Sequence, residues 1–312
     1  MKQGKQEKIS VIIAVYNGAK TIKRAIDSII QQSWPVDEII VVDDGSTDNT
    51  RDVVADYQDR VIYKYQQNHG VSVARNKGVE IATSEWICFL DADDWYYPDR
   101  VKFHMDMILH DSELDFLTGN FDYVDENGKL LRQSMQSTAV GSKLLKQAGE
   151  QSTVLMTGEM IGDFIAQHFG DTHTLTVKRT DFLKLGGYPL GIAVCEDVNF
   201  LIRLCAISKK IGVITLPMAA YFIHSQSATR SDPLRAQLQT LHALQSLKQI
   251  IRKTNERLMP GLSRAIRHAR LDLAYTLLKM KKKWRALKAV MPLIYEKPGI
   301  KSLKDVLSIS IG

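Results

Sequence analysis

The fold is predicted by residues 9–48, which read ISVIIAVYNGAKTIKRAIDSIIQQSWPVDEIIVVDDGSTD. In this stretch the apolar run Ile9–Val15, a predicted strand, is followed by an amphipathic segment, Ala19–Gln32, and by a second predicted strand, Glu38–Val42. Such alternation is typical of parallel strands that are joined and covered by helices. It continues to Leu90 and predicts an α/β protein with a βαβαβαβ order. The further predicted elements are helices at Asn49–Tyr57 and Val71–Ala82 and strands at Val61–Tyr65 and Trp86–Leu90.

The pattern changes after residue 98. We predict a helix at Pro98–His110, a strand at Asp115–Tyr123, and a flexible loop near the site over residues 132–152, which are rich in Ser, Gln and Lys. Beyond Asp232 the chain has helical apolar spacing almost without interruption. We therefore place a domain boundary there, with a catalytic-size domain in residues 1–230 and a helical extension in residues 231–312.

The composition excludes several classes of protein. With 312 residues, 45% of them hydrophobic and 24% charged, the chain is neither disordered nor collagenous. The three cysteines, Cys88, Cys195 and Cys205, support neither a disulfide framework nor a four-ligand zinc site. No apolar run approaches the roughly 20 residues of a membrane span, and the N-terminus lacks a signal-peptide pattern. These features predict a cytoplasmic protein.

The net charge of +6 is unevenly distributed. Residues 1–250 carry 26 basic and 31 acidic side chains, whereas residues 251–312 carry 15 and 4. A basic tail of this kind is compatible with nucleic acid, an anionic membrane surface or an acidic protein. Basic residues around Trp284, among them Lys281 and Arg285, suit an interfacial anchor at the inner face of the membrane. A helical subdomain that packs on the core or on a second subunit, as in a homo-oligomer, is the other interpretation. Nucleic acid is not expected, because the first 250 residues are acidic.

Polar residues follow three of the predicted strands. Because ligands bind beyond the carboxyl ends of parallel strands, Tyr16-Asn17-Gly18, Asp43-Asp44 and Asp91-Ala92-Asp93-Asp94 are candidate site residues. Asp91 and Asp93, separated by one residue, suit a hard divalent cation. A solvated acidic turn that caps the next helix is the alternative.

The second acidic pair and a helical arginine allow more than one role. Asp43-Asp44 precedes Gly45, which lets a ligand approach the backbone, and a carboxylate here suits a ribose hydroxyl or a nucleobase imide. Helix capping by the following Ser46–Asn49 accounts for part of the same pattern. Arg75 lies just inside a helix, where it can neutralise a diphosphate, pair with the acidic loops, or be an ordinary surface arginine.

Three further titratable residues lie in the second half of the chain. Glu196 and Asp197 interrupt an apolar stretch, so either a charged first turn of a helix or a partly shielded general base is consistent with them. His224 follows the apolar run Ala219–Ile223 and suits a metal ligand, a diphosphate contact or a hydrogen-bonded structural histidine.

Together these blocks resemble family 2 of the glycosyltransferases, the inverting enzymes with the GT-A fold. The resemblance is carried by the order and spacing of five blocks rather than by any one of them, and it covers roughly residues 8–230. The blocks are ISVIIAVYN at 9–17, IIVVDDGSTD at 39–48, GVSVARN at 70–76, FLDADDW at 89–95, and GGY at 186–188 followed by Glu196-Asp197. The family often has Pro where this chain has Ala14.

The resemblance implies a Rossmann-like GT-A domain with a C-terminal helical extension, and it implies roles for single positions. Tyr16 and Asp44 would border the base and ribose with Asp43 beside them, and Arg75 would lie near the nucleotide. Asp93 would bind Mn²⁺ or Mg²⁺ at the diphosphate, with Asp91 on the ribose or on metal-bound water, and His224 is a further metal-ligand candidate. Asp197 matches the acid that deprotonates the acceptor hydroxyl. The other positions in these blocks that we assign to donor or nucleotide binding are Ala14, Asn17, Ala92 and Glu196.

The implied activity is metal-dependent transfer of a sugar, from a nucleoside-diphosphate sugar that is a UDP-sugar in our prediction, to an acceptor hydroxyl. The implied acceptor is a glycan or lipid-linked glycan in bacterial cell-surface polysaccharide or glycan assembly. A non-catalytic nucleotide-sugar-binding or regulatory module is the main alternative, and the presence of both Asp93 and Asp197 argues against it, since a binder needs no base. An oxidoreductase is disfavoured, because Val15-Tyr16-Asn17-Gly18 stands where G-x-G-x-x-G would follow the first strand.

Overall fold

The computed structural model describes residues 7–224, 232–296 and 299–311. Its strands are β1 (Ile9–Val15), β2 (Glu38–Asp44), β3 (Ile62–Gln66), β4 (Trp86–Asp91), β5 (Trp95–Tyr96), β6 (Phe116–Gly119), β7 (Asp122–Val124), β8 (Leu130–Gln133), β9 (Thr153–Thr157), β10 (Thr176–Lys178), β11 (Lys210–Ile214) and β12 (Ala219–Phe222). Its helices are α1 (Ile22–Ile30), α2 (Thr50–Ala55), α3 (Val71–Ile81), α4 (Arg100–His110), α5 (Ala139–Ala148), α6 (Glu159–Ala166), α7 (Arg179–Lys184), α8 (Glu196–Ile207), α9 (Pro233–Thr254), α10 (Met259–Lys279), α11 (Lys283–Val290), α12 (Pro292–Glu296) and α13 (Ile300–Ile311).

The main sheet has eight strands in the order β3-β2-β1-β4-β10-β6-β11-β9. Strands β3, β2, β1 and β4 are parallel to one another, as predicted, while β10 and β9 run antiparallel to their neighbours. A second sheet, β5-β12-β7-β8, forms from short strands beside it. The predicted α/β architecture with a mostly parallel sheet is confirmed.

Alternate side chains of the parallel strands pack into two separate hydrophobic cores. Ile12 and Phe89 lie in one core together with residues of α3 and the later helices, whereas Ile13 and Leu90 lie in the other with residues of α1 and α4. Because successive residues of a strand point to opposite faces, a strand that is covered on both faces must be apolar at every position. This explains the uninterrupted apolar runs by which β1 and β2 were recognised.

Two sequence predictions in the middle of the chain are wrong. The predicted strand Asp115–Tyr123 is broken at Asn120, so that β6 joins the main sheet and β7 the second sheet. Asn120 is buried, and its Nδ2 donates to Thr215 O at 3.0 Å, which fixes the chain where it leaves the main sheet. Residues 132–152 do not form a flexible loop either, since they contain the end of β8 and helix α5.

Helix α5 is stabilised by an N-terminal cap and by a buried apolar stripe. Thr138 caps it, its Oγ1 accepting from Gly141 N at 3.1 Å, and an apolar stripe with the spacing of a helix is buried beneath it, comprising Val140, Leu144 and Ala148. The Ser and Gln content of the segment obscured this stripe.

The C-terminal helices pack against the N-terminal part of the chain. Helix α10 contacts α9, α11 and α6, and Gly261 of α10 lies so close to Gly162 of α6 that an added Cβ would approach Gly162 O to 2.2 Å. Buried residues of α9 and α10, such as Leu247 and Leu262, belong to the same core as Phe89. Among the described residues, none of the helices combines the length and the apolar character needed to cross a membrane.

Candidate active site

The predicted site residues meet at the carboxyl edge of the parallel strands. In the sheet register Val15 of β1 pairs with Asp43 of β2, and Ala14 pairs with Asp91 of β4. The three polar loops therefore start side by side, as the strand order predicted. Tyr16 is half exposed directly after β1, which leaves its ring available to a ligand.

Asn17 ties the first loop to the second. Its backbone has φ 53°, a left-handed conformation that asparagine tolerates better than most residues. The side-chain Oδ1 accepts from Thr47 N at 2.8 Å, and the backbone N–H donates to Ser46 Oγ at 2.9 Å. The loops after β1 and β2 thus form one connected surface.

Asp43 and Asp44 are buried, and protein groups donate to both oxygens of each carboxylate. Asp43 accepts from Ser46 N at 2.8 Å and from Tyr63 Oη at 2.7 Å. Asp44 accepts from Gly70 N at 2.7 Å and from Gln66 Nε2 at 2.7 Å, and also from the neighbouring backbone N–H of residue 69. These bonds shape the loops, and contact of either carboxylate with a nucleotide stays a prediction. Tyr63 was not recognised from the sequence, because it belongs to the period-2 pattern of β3.

The loop after β4 brings Asp93 to His224. Asp93 Oδ2 lies 2.8 Å from His224 Nε2, and the two side chains are 38% and 23% exposed. Arg24 Nη2 donates to the carbonyl of Asp93 at 2.6 Å, while its guanidinium stacks 4.0 Å from the Trp95 ring. Burial raises the pKa of Asp93, the charge of Asp91 raises it further, and the hydrogen bond with His224 opposes this rise. Ala92 lies partly buried between the two acids.

Asp94, the third acid of this loop, connects it to the second sheet. It is 1% exposed, and its Oδ1 accepts from Phe222 N at 2.8 Å, two residues before His224. Its Oδ2 lies 3.5 Å from His173 Nδ1. Asp94 therefore holds the end of β12, two residues before His224, against the loop that carries Asp93, which is a role the sequence pattern did not reveal.

Arg75 pairs with two acidic loops at once. Its Nη2 lies 2.5 Å from Asp91 Oδ1 and its Nη1 2.8 Å from Glu196 Oε1, and the arginine is 4% exposed. The guanidinium also lies over the ring of Tyr188, 5.2 Å from the centroid. Of the sequence-based alternatives for Arg75, pairing with the acidic loops is the one present in this structure, and the surface role is wrong.

Glu196 and Asp197 occupy the first turn of α8. The preceding residue, Cys195, has φ 71°, a strained conformation for a residue with a side chain. Asp197 is partly exposed and its Oδ1 accepts from Val198 N at 2.7 Å. Burial and the charge of Asp197 raise the pKa of Glu196 to about 7 in spite of the ion pair with Arg75. The helix N-terminus favours negative charge here, so the charged first turn is real and does not exclude a base.

The Gly-Gly-Tyr turn is fixed from the helix that carries Arg75. Asn76 donates from Nδ2 to Tyr188 O at 3.0 Å and accepts at Oδ1 from Tyr188 N at 2.8 Å. Gly187 has φ 66°, and a Cβ there would lie 2.4 Å from Asn76 Oδ1. Only glycine fits such a position. Tyr188 is buried, and its ring packs beside Arg75.

The residues at the Asp93 loop fit a hard divalent cation in part. Within the described ranges no group of three or more His, Cys, Asp and Glu side chains has the arrangement of a metal site. Asp93 and His224 nevertheless bring one carboxylate and one imidazole together, and Mg²⁺ in nucleotide enzymes is commonly held by one or two carboxylates plus substrate phosphates. Asp91 is engaged by Arg75, which makes it a poorer ligand than Asp93.

The overall architecture is shared with solved structures of S. aureus TarS. The structure of TarS residues 1–349 in complex with UDP-GlcNAc matches with a TM-score of 0.65 and 19% identity, covering 97% of this chain and 90% of that one. The complex with UDP matches with a TM-score of 0.60 and 18% identity over the same shares. At these identities the likeness establishes the fold, which is the GT-A glycosyltransferase fold.

Sequence relatives are described as glycosyltransferases. The uncharacterized glycosyltransferase alr2836 of Nostoc sp. is 33% identical over 222 residues, 70% of this chain and 65% of that protein. The uncharacterized glycosyltransferase YibD of Escherichia coli is 41% identical over 119 residues, 37% of this chain and 34% of YibD. Glycosyltransferase GlyA of Streptococcus pneumoniae is 27% identical over 230 residues, 72% of this chain and 32% of GlyA. The chain thus spans about a third of the length of YibD and GlyA.

The family itself is identified by a match to residues 10–180, more than half of the chain, with the sequence model described as glycosyl transferase family 2. This segment contains Arg75 and the loop Asp91–Asp94, whereas Glu196, Asp197 and His224 lie beyond it. The match and the shared architecture agree with the resemblance carried by the sequence blocks, and the chain belongs to glycosyl transferase family 2.

Proposed function

We propose that the chain transfers a sugar from a UDP-sugar to an acceptor hydroxyl with inversion at the anomeric carbon. The observation that carries this proposal is the double ion pair of Arg75, which holds the loop of Asp91 and Asp93 against the helix turn of Glu196 and Asp197. A single displacement requires the donor-binding loop and the base to be held in a fixed relative position. The ion pairs of Arg75 provide such a connection. A module that only binds nucleotide sugars would need no second carboxylate at this place.

Of the donor, the acceptor and the metal in this proposal, the donor has the most support from similar proteins. Structures of TarS contain UDP-GlcNAc and UDP, so UDP-sugars are the first class to test, with UDP-GlcNAc as the first member. In this chain Tyr16 and Asn17 would border the base and ribose together with the loop shaped by Asp43 and Asp44. The exposed ring of Tyr16 suits stacking on a nucleobase.

Mn²⁺ or Mg²⁺ would be held by Asp93 and His224 together with the diphosphate. A bound dication would supply stabilisation of the negative charge on the departing diphosphate. The raised pKa of Asp93 supports this assignment, since burial and the nearby charge of Asp91 disfavour its ionised form in the protein alone.

Asp197 would act as the general base. It would take the proton of the acceptor hydroxyl while the acceptor oxygen bonds to the anomeric carbon and the bond from that carbon to the diphosphate oxygen breaks. Its partial exposure at the first turn of α8 leaves it open to an acceptor. Glu196 would act through Arg75 rather than on the acceptor.

The acceptor is proposed to be a glycan or lipid-linked glycan of cell-surface assembly, reached at an anionic membrane surface. Helix α13 exposes an apolar stripe with helical spacing, Ile300, Leu303 and Leu307, and buries Val306 and Ile309 on its other side. It packs against α11, where Trp284 is 85% exposed among basic residues. Exposed aromatic and aliphatic side chains beside lysines are typical of interfacial helices.

The test is release of nucleoside diphosphate by the purified chain from a panel of nucleotide sugars, with Mn²⁺, Mg²⁺ or EDTA and with or without glycan acceptors. We expect metal-dependent UDP release from one UDP-sugar that increases when an acceptor is present. UDP binding without release from any nucleotide sugar, at any acceptor tried, would favour the non-catalytic binding module instead.

A further inference from the structure

Arg24 of α1 is joined to the loop of Asp93 and to the second sheet by three contacts. Its Nη2 donates to Asp93 O at 2.6 Å. Its guanidinium lies over the rings of Trp95 and Phe222, 4.0 Å and 4.7 Å from their centroids. Arg24 is an exposed residue, and an exposed arginine ordinarily samples many rotamers. Here one carbonyl and two aromatic faces select a single orientation of the guanidinium.

The two aromatic rings lead from Arg24 to His224. Trp95 of β5 and Phe222 of β12 come from paired strands, and their ring centroids are 6.3 Å apart. The Phe222 ring in turn stacks on the imidazole of His224, with the centroids 5.5 Å apart and the planes inclined by 27°. Arg24 is therefore linked to Asp93 through the main chain and to His224 through one aromatic ring.

The contact with a backbone carbonyl leaves the carboxylate of Asp93 available to other partners. Arg75, by comparison, takes up a carboxylate oxygen of Asp91. The carboxylate Oδ2 of Asp93 lies 2.8 Å from His224 Nε2. Adjacent ligands of an octahedral cation with bonds of about 2.1 Å lie about 3 Å apart. The carboxylate and the imidazole are thus held close to the separation at which one cation can bind both.

We propose that Arg24 is a positioning residue for the cation, because its contacts with the Asp93 carbonyl and the two rings set the separation of the Asp93 carboxylate and the His224 imidazole. This inference rests on the proposed binding of Mn²⁺ or Mg²⁺ by Asp93 and His224. Residues that orient a metal ligand without touching the metal commonly change metal affinity by about 10- to 100-fold when they are substituted. The alternative is that Arg24 acts only through its positive charge, in which case lysine would replace it.

The affinity of the full chain for UDP, measured with Mn²⁺ and with EDTA, tests this role. The ratio of the two affinities isolates the contribution of the cation, and circular dichroism shows whether each variant is folded. We expect Arg24→Met and Arg24→Lys both to lower this ratio by about tenfold or more, because neither keeps a planar group on the two rings. Phe222→Leu removes the ring that links Arg24 to His224 and should act in the same direction.

Arg60→Met is the matched control. Arg60 also lies over an aromatic ring, that of Tyr57, 5.7 Å from its centroid. It precedes β3, at the opposite edge of the sheet from Asp93. The substitution should leave the ratio of the UDP affinities as it is in the wild type.

Pulsed electron paramagnetic resonance of the complex with Mn²⁺ and UDP then reports the position of His224. A bound imidazole couples its nitrogen to Mn²⁺. We expect this coupling in the wild type and in Arg60→Met, and we expect it to be lost in His224→Gln and in Arg24→Met. A coupling and an affinity ratio that are both unchanged in Arg24→Met, or both unchanged in Arg24→Lys, overturn the inference.

The behaviour of the wild type separates this inference from the proposed function. If the wild type binds UDP equally well with Mn²⁺ and with EDTA, or shows no nitrogen coupling, the assignment of the cation to Asp93 and His224 is wrong and the inference fails with it. If the wild type behaves as expected and only the Arg24 variants do not, the inference alone fails. Sugar transfer itself is judged by the release of UDP from nucleotide sugars.

Discussion

Arg75 lies between Asp91 and Glu196, 2.5 Å from the first carboxylate and 2.8 Å from the second. One side chain from α3 thereby fixes the distance between the loop that carries Asp93 and the helix turn that carries Asp197. The guanidinium is suited to this task, because its planar fork can donate to two carboxylates at once. Since the arginine is 4% exposed, the connection is a buried network rather than a surface ion pair.

Removal of Arg75 should therefore damage stability and activity together. Arg75→Met leaves two carboxylates unpaired in a buried place, and we expect a loss of about 3 kcal/mol in the free energy of unfolding, measured by urea denaturation. Arg75→Lys keeps the charge but cannot reach both partners, so its loss should be intermediate. Arg257→Met, at an exposed arginine, is the control. A loss below about 1 kcal/mol in Arg75→Met would show that the network is not important for stability.

Asp93→Ala should abolish metal-dependent binding of UDP, because a hard cation loses its carboxylate ligand and the diphosphate then faces uncompensated negative charge. Calorimetry with UDP in Mn²⁺ and in EDTA measures this. Asp59→Ala, at an exposed carboxylate, should bind as the wild type does. Unchanged affinity and unchanged metal dependence in Asp93→Ala would refute the assignment of this residue.

Asp171 should make the stability of the protein depend on pH. Burial and the charge of Asp197 raise its pKa in the folded protein to about 8 from an ordinary value of 3.8, so the folded state binds this proton more tightly than the unfolded chain does. The resulting stabilisation is complete below the ordinary value and is lost as the pH rises through 8. Asp171→Asn does not titrate, and it should gain stability relative to the wild type between pH 5 and 8, on the order of a few kcal/mol.

Urea denaturation at pH 5 and at pH 8 gives the free energy of unfolding of the wild type and of Asp171→Asn. The difference in this free energy between the two proteins should change from pH 5 to pH 8. Asp59→Asn should show no such change. The prediction fails if Asp171→Asn differs from the wild type by the same amount at both pH values.

The full chain should co-sediment with vesicles that contain anionic lipid. Co-sedimentation should decrease as the salt concentration increases, because salt screens the attraction between lysine side chains and anionic headgroups. Deletion of the C-terminal helices is unsuitable as a test, since residues of α9 and α10 share a hydrophobic core with the strands of the main sheet. The double substitution Trp284→Ala and Leu303→Ser instead alters only exposed apolar side chains, and it should weaken sedimentation by at least about threefold.

Leu131→Ser removes an equally exposed leucine on β8 and should leave vesicle binding unchanged. If the wild type and the double variant both remain in the supernatant at low salt, the exposed face of α11 and α13 serves another contact, such as one between two copies of the chain.

The sequence was sufficient where local pattern decides the structure. The buried runs of β1, β2 and β4 predicted the sheet, and the sheet placed Asn17, Asp43 and Asp91 at one edge. It was insufficient where contacts join distant residues, since Arg75 and Glu196 are 121 positions apart and nothing local to either indicates the pair. Asp171 illustrates the same limit, because its environment is created by α8 and by the end of β4. Helix α5 was missed for a different reason, namely a polar composition that hid its buried stripe.

The most direct test of the account is the turnover of Asp197→Asn with an active UDP-sugar and acceptor, measured beside UDP affinity. The amide keeps the size of the carboxylate but cannot take a proton, so transfer should fall by about 10²-fold or more while UDP binding and the unfolding midpoint stay close to the wild type. Asp181→Asn, in α7, is the control and should retain transfer. Near wild-type transfer in Asp197→Asn would contradict the account and reduce Asp197 to a charge at a helix terminus.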